Sequence, residues 1–314
     1  MSSGLVASSA PGKVILFGEH AVVYGQPAIA VPVSEVVATA TVEPAPTGSG
    51  LTLVAADLGH RFTLTEAPRH DPLAVAARLT LDYLSASAPD ATITVRSSIP
   101  IAGGLGSGAA VSTALVRALA SFMGHSLSPH EVSRLVFEVE KVHHGTPSGI
   151  DNTVIAYEQP VYFERGAPSG PERLSVAAPF TLLIIDSGLP SPTKQLVSRV
   201  RDRWLRDPEG SATLFRQIGD IAREACHHIE TGAVDALGPL MDKNHTLLIE
   251  LGVSSPTLNR LVDVARDAGA SGAKLSGAGH GGSVVALIQV EQVDAAIASL
   301  RKAGAARVIH TTVE

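Results

Sequence analysis

Four glycines within six residues, Gly103, Gly104, Gly106 and Gly108, stand directly ahead of a helical run and constrain this chain more than any other feature. In Ile99-Pro-Ile-Ala-Gly-Gly-Leu-Gly-Ser-Gly-Ala-Ala110 the missing side chains let backbone N–H groups approach an anion closely. Ala109, Ala110, Val111, Ala114, Leu115, Ala118, Leu119 and Phe122 follow at helical spacing. That spacing predicts a helix whose partially positive N-terminus faces the anion. Nucleotide phosphate is the ligand this pattern favours, and a purely structural glycine loop is the alternative.

Two better-known phosphate loops do not fit. Gly104, Gly106 and Ala109 match G-x-G-x-x-A, but a dinucleotide fold needs a second strand ending in an acid after the first helix. Here a second helix follows: Ser128-Pro129-His130-Glu131 offers an N-cap, a proline at the first helical position and a capping-box acid. Walker A is excluded because no Gly-Lys-Ser/Thr follows the glycines.

With 314 residues, 45% of them hydrophobic, the chain can bury one large core or two moderate ones, and two lobes are expected. A net charge of −6 without any basic block argues against nucleic-acid or anionic-membrane partners, so an anionic ligand has to be met locally. Cys226 is the sole cysteine, which removes a disulfide framework and a thiolate zinc site and suits a reducing cytoplasm. Residues 1–12 lack the basic start and apolar core of an export signal, and no apolar run approaches the roughly 20 residues of a membrane span. A cytoplasmic protein is expected.

Strands are predicted at 14–17, 28–33, 36–42, 51–54, 61–64 and 91–95, with a helix over 72–85 between the last two. This order is mixed α+β rather than a regular alternation. Gly166-Ala-Pro-Ser-Gly-Pro171 breaks the pattern and marks a domain boundary, giving lobes 1–170 and 171–314. The second lobe is expected to hold strands 181–186 and 283–290 and helices near 214–230, 234–251, 256–268 and 293–303.

Further polar segments point to one site. Ala10-Pro-Gly-Lys13-Val-Ile-Leu-Phe-Gly18-Glu19-His20 sets a lysine before a strand and polar groups after it. Glu140 borders the apolar face of Val132, Val136 and Val139, the position of a half-buried acid suited to a bound cation. His143 and His144 point in different directions at a helix end and have no third ligand at zinc spacing. Asp151, after Gly145-Thr-Pro-Ser-Gly-Ile, can bind metal, accept a proton or simply form an Asx turn with Asn152. Lys274-Leu-Ser-Gly277-Ala-Gly279-His-Gly281-Gly282 implies close backbone approach ahead of an apolar strand. Asp186 to Lys194 either lines a ligand pocket or is an ordinary turn.

Together, Pro11-Gly-Lys13 with Gly18-Glu19-His20, Pro100 through Ala110, and Lys274 through Gly282 resemble the three signature motifs of the galactokinase, homoserine kinase, mevalonate kinase and phosphomevalonate kinase (GHMP) superfamily. Residues 18–30 and 144–152 are similar to mevalonate kinases in particular, and the Asp-Tyr expected of galactokinases after the early histidine is absent. The resemblance implies a two-lobed α+β fold, with a ribosomal-S5 domain-2-like N-terminal lobe, a ferredoxin-like C-terminal lobe and ATP between them. It also implies ATP-dependent phosphorylation of the 5-hydroxyl of mevalonate in isoprenoid synthesis, with Mg²⁺, and allows a homodimer. Phosphomevalonate kinase, mevalonate 3-kinase, another small-alcohol kinase and a non-catalytic ligand sensor are the alternatives.

By the same resemblance Asp151 takes the substrate proton and Lys13 stabilises developing charge, while Ser107 and Glu140 bind Mg²⁺. Pro100, Gly103, Gly104, Leu105, Gly106, Ser107, Gly108 and Ala109 hold the phosphates. Glu19, His20 and Thr193 orient the acceptor, and Gly279 lies on the substrate side. Many relatives carry a second serine where this chain has Gly108, so the serine ligand rests on Ser107 alone. These roles suit phosphoryl transfer, which needs positioning and charge neutralisation more than covalent chemistry. Lys13 near Asp151 is expected to hold that carboxylate ionised.

Overall fold

A computed structural model describes residues 4–100, 103–144, 147–166 and 171–314. In chain order the strands are β1 (Val6–Phe17), β2 (Ala28–Pro44), β3 (Leu51–Ala55), β4 (His60–Thr63), β5 (Ala91–Ser97), β6 (Val161–Phe163), β7 (Glu172–Arg173), β8 (Phe180–Asp186), β9 (Gly272–Ser276), β10 (Ser283–Ile288) and β11 (Arg307–Val313). The helices are α1 (Pro72–Tyr83), α2 (Ser107–Phe122), α3 (Pro129–His144), α4 (Ile150–Tyr157), α5 (Thr193–Arg206), α6 (Pro208–Thr231), α7 (Leu237–Glu250), α8 (Pro256–Asp267) and α9 (Val293–Lys302). The mixed α+β class expected from the sequence is the class observed.

The chain forms two compact units. One comprises residues 1–12, 36–99 and 106–158, and the other residues 13–35, 100–105 and 159–314. In the first, residues 38–44 of β2 pair antiparallel with β5, β5 pairs parallel with β3, and β3 pairs antiparallel with β4. Helices α1 to α4 bury small side chains such as Ala74, Ala77, Ala110, Ala114 and Ala118, which let backbones come close, with Leu115 and Leu119 filling the remaining space. The Ser128–Glu131 capping box forms as its spacing predicts. Ser128 N–H donates to Glu131 Oε2 at 2.7 Å and Glu131 N–H to Ser128 Oγ at 3.3 Å. Chiefly through its hydrogen bonds with Ser128, Glu131 is held down at about 2.

In the second unit residues 28–30 of β2 pair with β6, and a separate antiparallel sheet has the order β11-β8-β10-β9. Strand, helices, strand, strand, helix, strand in that spatial order is the ferredoxin-like arrangement expected for the C-terminal half. All of β8, β9 and β10 lies inside the protein except Asp186 at the end of β8.

Several boundaries differ from the pattern in the sequence. The runs 28–33 and 36–42 are one strand. Pro32 sits between the β6-paired and β5-paired stretches. Helix α6 begins at Pro208 rather than near 214, because the Asp207 carboxylate caps it by accepting from Gly210 N–H at 3.0 Å. Helix α5 was not expected; it starts at Thr193, near the end of the 186–194 segment, whose residues 187–192 are neither helix nor strand. Only Leu196 and Val200 of its side chains are buried, too few to give a clear apolar period. Strands β9 and β11 and helix α4 were not expected either.

Leu115 lies wholly inside the first unit. Leu115→Ala is expected to cost about 2–5 kcal/mol of stability, read as a lowered urea midpoint with an unchanged slope.

Candidate active site

The N-terminal motif is stitched to two distant segments within the second unit. Lys13 N–H donates to the Leu105 carbonyl at 3.0 Å, setting the lysine's backbone against the glycine-rich loop. Ile15 N–H donates to Ser276 Oγ at 3.1 Å, and that hydroxyl donates back to the Ile15 carbonyl at 2.9 Å. Gly103 O in turn accepts from Ser283 Oγ at 2.7 Å. The three signature segments therefore meet through backbone groups and two serine hydroxyls, and Gly104 and Gly277 face each other without side chains: a Cβ on Gly277 would lie 3.9 Å from Gly104 Cα.

Lys13 is 3% exposed, and Glu19 and Lys274 are 0% exposed. Lys274 Nζ donates to Glu19 Oε1 and, at 2.8 Å, to the Leu275 carbonyl. Asn244 Nδ2 approaches Glu19 Oε2 at 3.5 Å. Burial pushes Glu19 up and Lys274 down from their ordinary values, and the partner's charge is what chiefly opposes each shift. His20 adopts a left-handed backbone, φ +59°, and its Nε2 lies 2.9 Å from the Ala278 carbonyl. Burial lowers the imidazole's pKa, and a neutral ring facing a carbonyl through Nε2 carries its proton there. Nearby, Leu275 N–H donates to His245 Nδ1 at 3.3 Å. Burial, followed by the charge of Lys274, brings His245 down to about 4.

Thr193 is exposed at the first position of α5. Its segment is nevertheless tied to the glycine loop of residues 277–282, because Ser191 Oγ donates to the Gly279 carbonyl at 2.8 Å. Gly279 is buried, with φ +92°, and a Cβ there would lie 1.9 Å from the Val253 carbonyl oxygen.

The remaining residues belong to the first unit. The glycine-rich segment enters it at Gly106, whose left-handed backbone, φ +71°, starts α2 without a side-chain cap. An uncapped helix start leaves its N–H groups for an anion. Ser107 is half-buried and Gly108 exposed, and a Cβ on Gly108 would lie 3.3 Å from Glu140 Oε1. Glu140 is 6% exposed, more deeply buried than the half-buried acid expected. Asp151 sits half-buried in the first turn of α4. Its neighbour Asn152 anchors that turn by donating from Nδ2 to Ser133 O at 3.0 Å and Ser133 Oγ at 2.8 Å.

Lys13, Leu105, Glu19, His20 and Gly279 thus share one unit, and Ser107, Gly108 and Glu140 come together in the other. The side chains of His143 and His144 lie outside the described residues. Lys274, Asn244, Ser276 and Ser283 were not singled out by residue type. A lone lysine inside Gly-Ala-Lys-Leu-Ser, next to an apolar strand, is the one available signal.

Residues 72–159 match the family model "GHMP kinases N terminal domain" and residues 222–306 match "GHMP kinases C terminal". The chain is 35% identical to the mevalonate kinase of Pyrococcus furiosus over 95% of this chain and 93% of that one. With the mevalonate kinase of Aeropyrum pernix the identity is 36%, over 93% and 91%. Among solved structures, the L. major mevalonate kinase in complex with R-mevalonate superposes with a TM-score of 0.84 at 29% identity, covering 98% of this chain and 95% of that one. The chain belongs to the GHMP kinases and, within them, to the mevalonate kinase family. It is an enzyme, a kinase.

The loop glycines differ in what a side chain would meet. At Gly104, φ +78°, the nearest neighbour of a Cβ is 3.7 Å away, so Gly104→Ala meets backbone strain alone, about 1–2 kcal/mol. Gly279→Ala adds a collision with the Val253 backbone and is expected to lower the melting temperature distinctly more. Equal losses would show that the 277–282 loop yields freely.

Proposed function

We propose that this kinase transfers the γ-phosphoryl group of ATP to the 5-hydroxyl of mevalonate. The observation that carries the reading is the meeting of Lys13, the glycine-rich loop, Glu19, His20 and the 277–282 loop through paired backbone and buried polar atoms. Similarity to an L. major enzyme with R-mevalonate bound supports the choice of acceptor.

In this reading the acceptor oxygen attacks the γ-phosphorus, the bond to the ADP oxygen breaks, and the hydroxyl proton passes to Asp151. Lys13 supplies fixed positive charge to the phosphoryl oxygens as negative charge shifts during transfer. The N–H groups of residues 103–109 and the start of α2 hold the phosphates, with Pro100 shaping the approach. Mg²⁺ fits Ser107 and Glu140, a hydroxyl and a buried carboxylate brought to the same end of α2, and oxygen donors of this kind suit a hard cation. When bound, the ion neutralises triphosphate charge. His20, Glu19, Thr193 and Gly279 orient the acceptor. The two family matches fall on either side of the 170/171 boundary read between the lobes, while residues 13–35, 100–105 and those from 159 onward share one compact unit with the C-terminal lobe. The single cysteine suits a cytoplasmic location.

ADP release measured with mevalonate, phosphomevalonate, homoserine and galactose is expected to give mevalonate the highest kcat/KM. A preference of about tenfold for another alcohol, roughly 1.4 kcal/mol in the transition state, would replace the acceptor assignment. Asp151→Asn keeps the shape of the side chain but removes the proton acceptor, so kcat is expected to fall about 10²–10⁴-fold with ATP affinity and melting temperature little changed. Near-normal kcat in this variant would leave Asp151 a turn residue.

A further inference from the structure

Glu19 and His20 are adjacent, and both are pinned to the same distant segment, Glu19 through Lys274 and His20 through the Ala278 carbonyl. Neither Glu19 nor Lys274 has accessible surface, so an acceptor molecule cannot touch either while this packing holds. Residue 20 is different. It keeps some exposure and a left-handed backbone that a histidine adopts only when its surroundings impose it.

We propose that Lys274 is a positioning residue: its ammonium keeps Glu19 as a buried carboxylate, and that ion pair holds the strained turn at His20 against Ala278 in the geometry that orients the acceptor. The proposal rests on the acceptor-orienting reading of residues 19 and 20. It assigns Glu19 an indirect part in that reading and gives a role to a lysine that had none.

The electrostatics are explicit. The charged groups around Glu19 are Lys274 from β9 and Lys13 from β1, with Lys274 the larger influence. From α7 come the uncharged amide of Asn244 at 3.5 Å and His245, which stands near Lys274 and is neutral at ordinary pH. Without Lys274 the burial that already raises Glu19 meets less opposition. The turn, already without its ion pair, then loses the carboxylate charge that Lys13 and the Asn244 amide still hold, as the carboxyl takes up a proton when pH falls through its new, higher value.

The test compares Lys274→Met and the double variant Lys274→Met/Glu19→Gln with the unaltered enzyme, using whichever alcohol of the panel has the highest kcat/KM. Acceptor KM, ATP KM, kcat and melting temperature are measured from about pH 6 to about pH 9. For Lys274→Met we expect an acceptor KM that climbs about tenfold per pH unit on the acid side, a limb the unaltered enzyme lacks, while ATP KM stays within about twofold. The double variant has no buried carboxyl to titrate, so its limb vanishes while acceptor KM stays raised at every pH. His20 remains in both variants, and a limb that survives in the double variant belongs to it and overturns the proposal. A lowered melting temperature with unchanged acceptor KM and pH profile also overturns it, leaving the pair a structural staple. Should Lys274→Met not fold, the double variant, which buries no lone charge, still decides: an acceptor KM equal to that of the unaltered enzyme refutes the assignment. Failure of the mevalonate preference appears in the panel itself and leaves this measurement readable.

Discussion

The charge on Lys274 has no water around it, and a buried ammonium is tolerable only when a carboxylate stands against it. Glu19 meets that demand from 255 positions away in the chain, so residue 19 has to arrive beside β9 whatever else the fold does. Once it is there, neighbouring partners follow: the Ser276 hydroxyl serves Ile15 as both donor and acceptor, and the Ala278 carbonyl takes His20. The glycine-rich loop is then bracketed from two directions, Leu105 by Lys13 and Gly103 by Ser283. An ion pair of this kind adds little net stability once desolvation is counted. What it contributes is register among segments far apart in sequence.

A molecule carrying a net charge of −6 has to create its attraction for an anion at one place. In the proposed reading the means need few cations: a helix start with no side-chain cap and glycines that expose N–H groups. The carboxylate of Glu140 beside Gly108 would fit the same proposal by offering the kind of oxygen a hard cation prefers.

The mixed α+β class, the helix after the glycine-rich loop and the capping box of α3 were legible because each depends on local period or local capping chemistry, whereas the ferredoxin-like C-terminal half was expected only from the resemblance to the GHMP superfamily. Helix α5 was not, because its apolar face is only Leu196 and Val200, and polar helices leave a weak period. Strand β9 was hidden for a related reason: Gly-Ala-Lys-Leu-Ser reads as a loop until the lysine has a buried partner. The residue types of the site were visible in the motifs. The depth of Glu140 and the full burial of Glu19 were not, since both depend on elements that the local pattern does not connect.

Between residues 12 and 159 the chain passes from one compact unit to the other five times, at 12–13, 35–36, 99–100, 105–106 and 158–159. No single cut therefore yields two pieces that each contain a whole unit. A protease nick in the exposed stretch near Glu164 to Gly166 would leave residues 13–35 and 100–105 on a different fragment from the C-terminal residues of their own unit. The same interleaving limits recombination between relatives, because no one crossover point exchanges either unit intact. Substitutions at Glu19 and Lys274 have to remain compatible across almost the full length of the gene, so this enzyme is inherited as one piece.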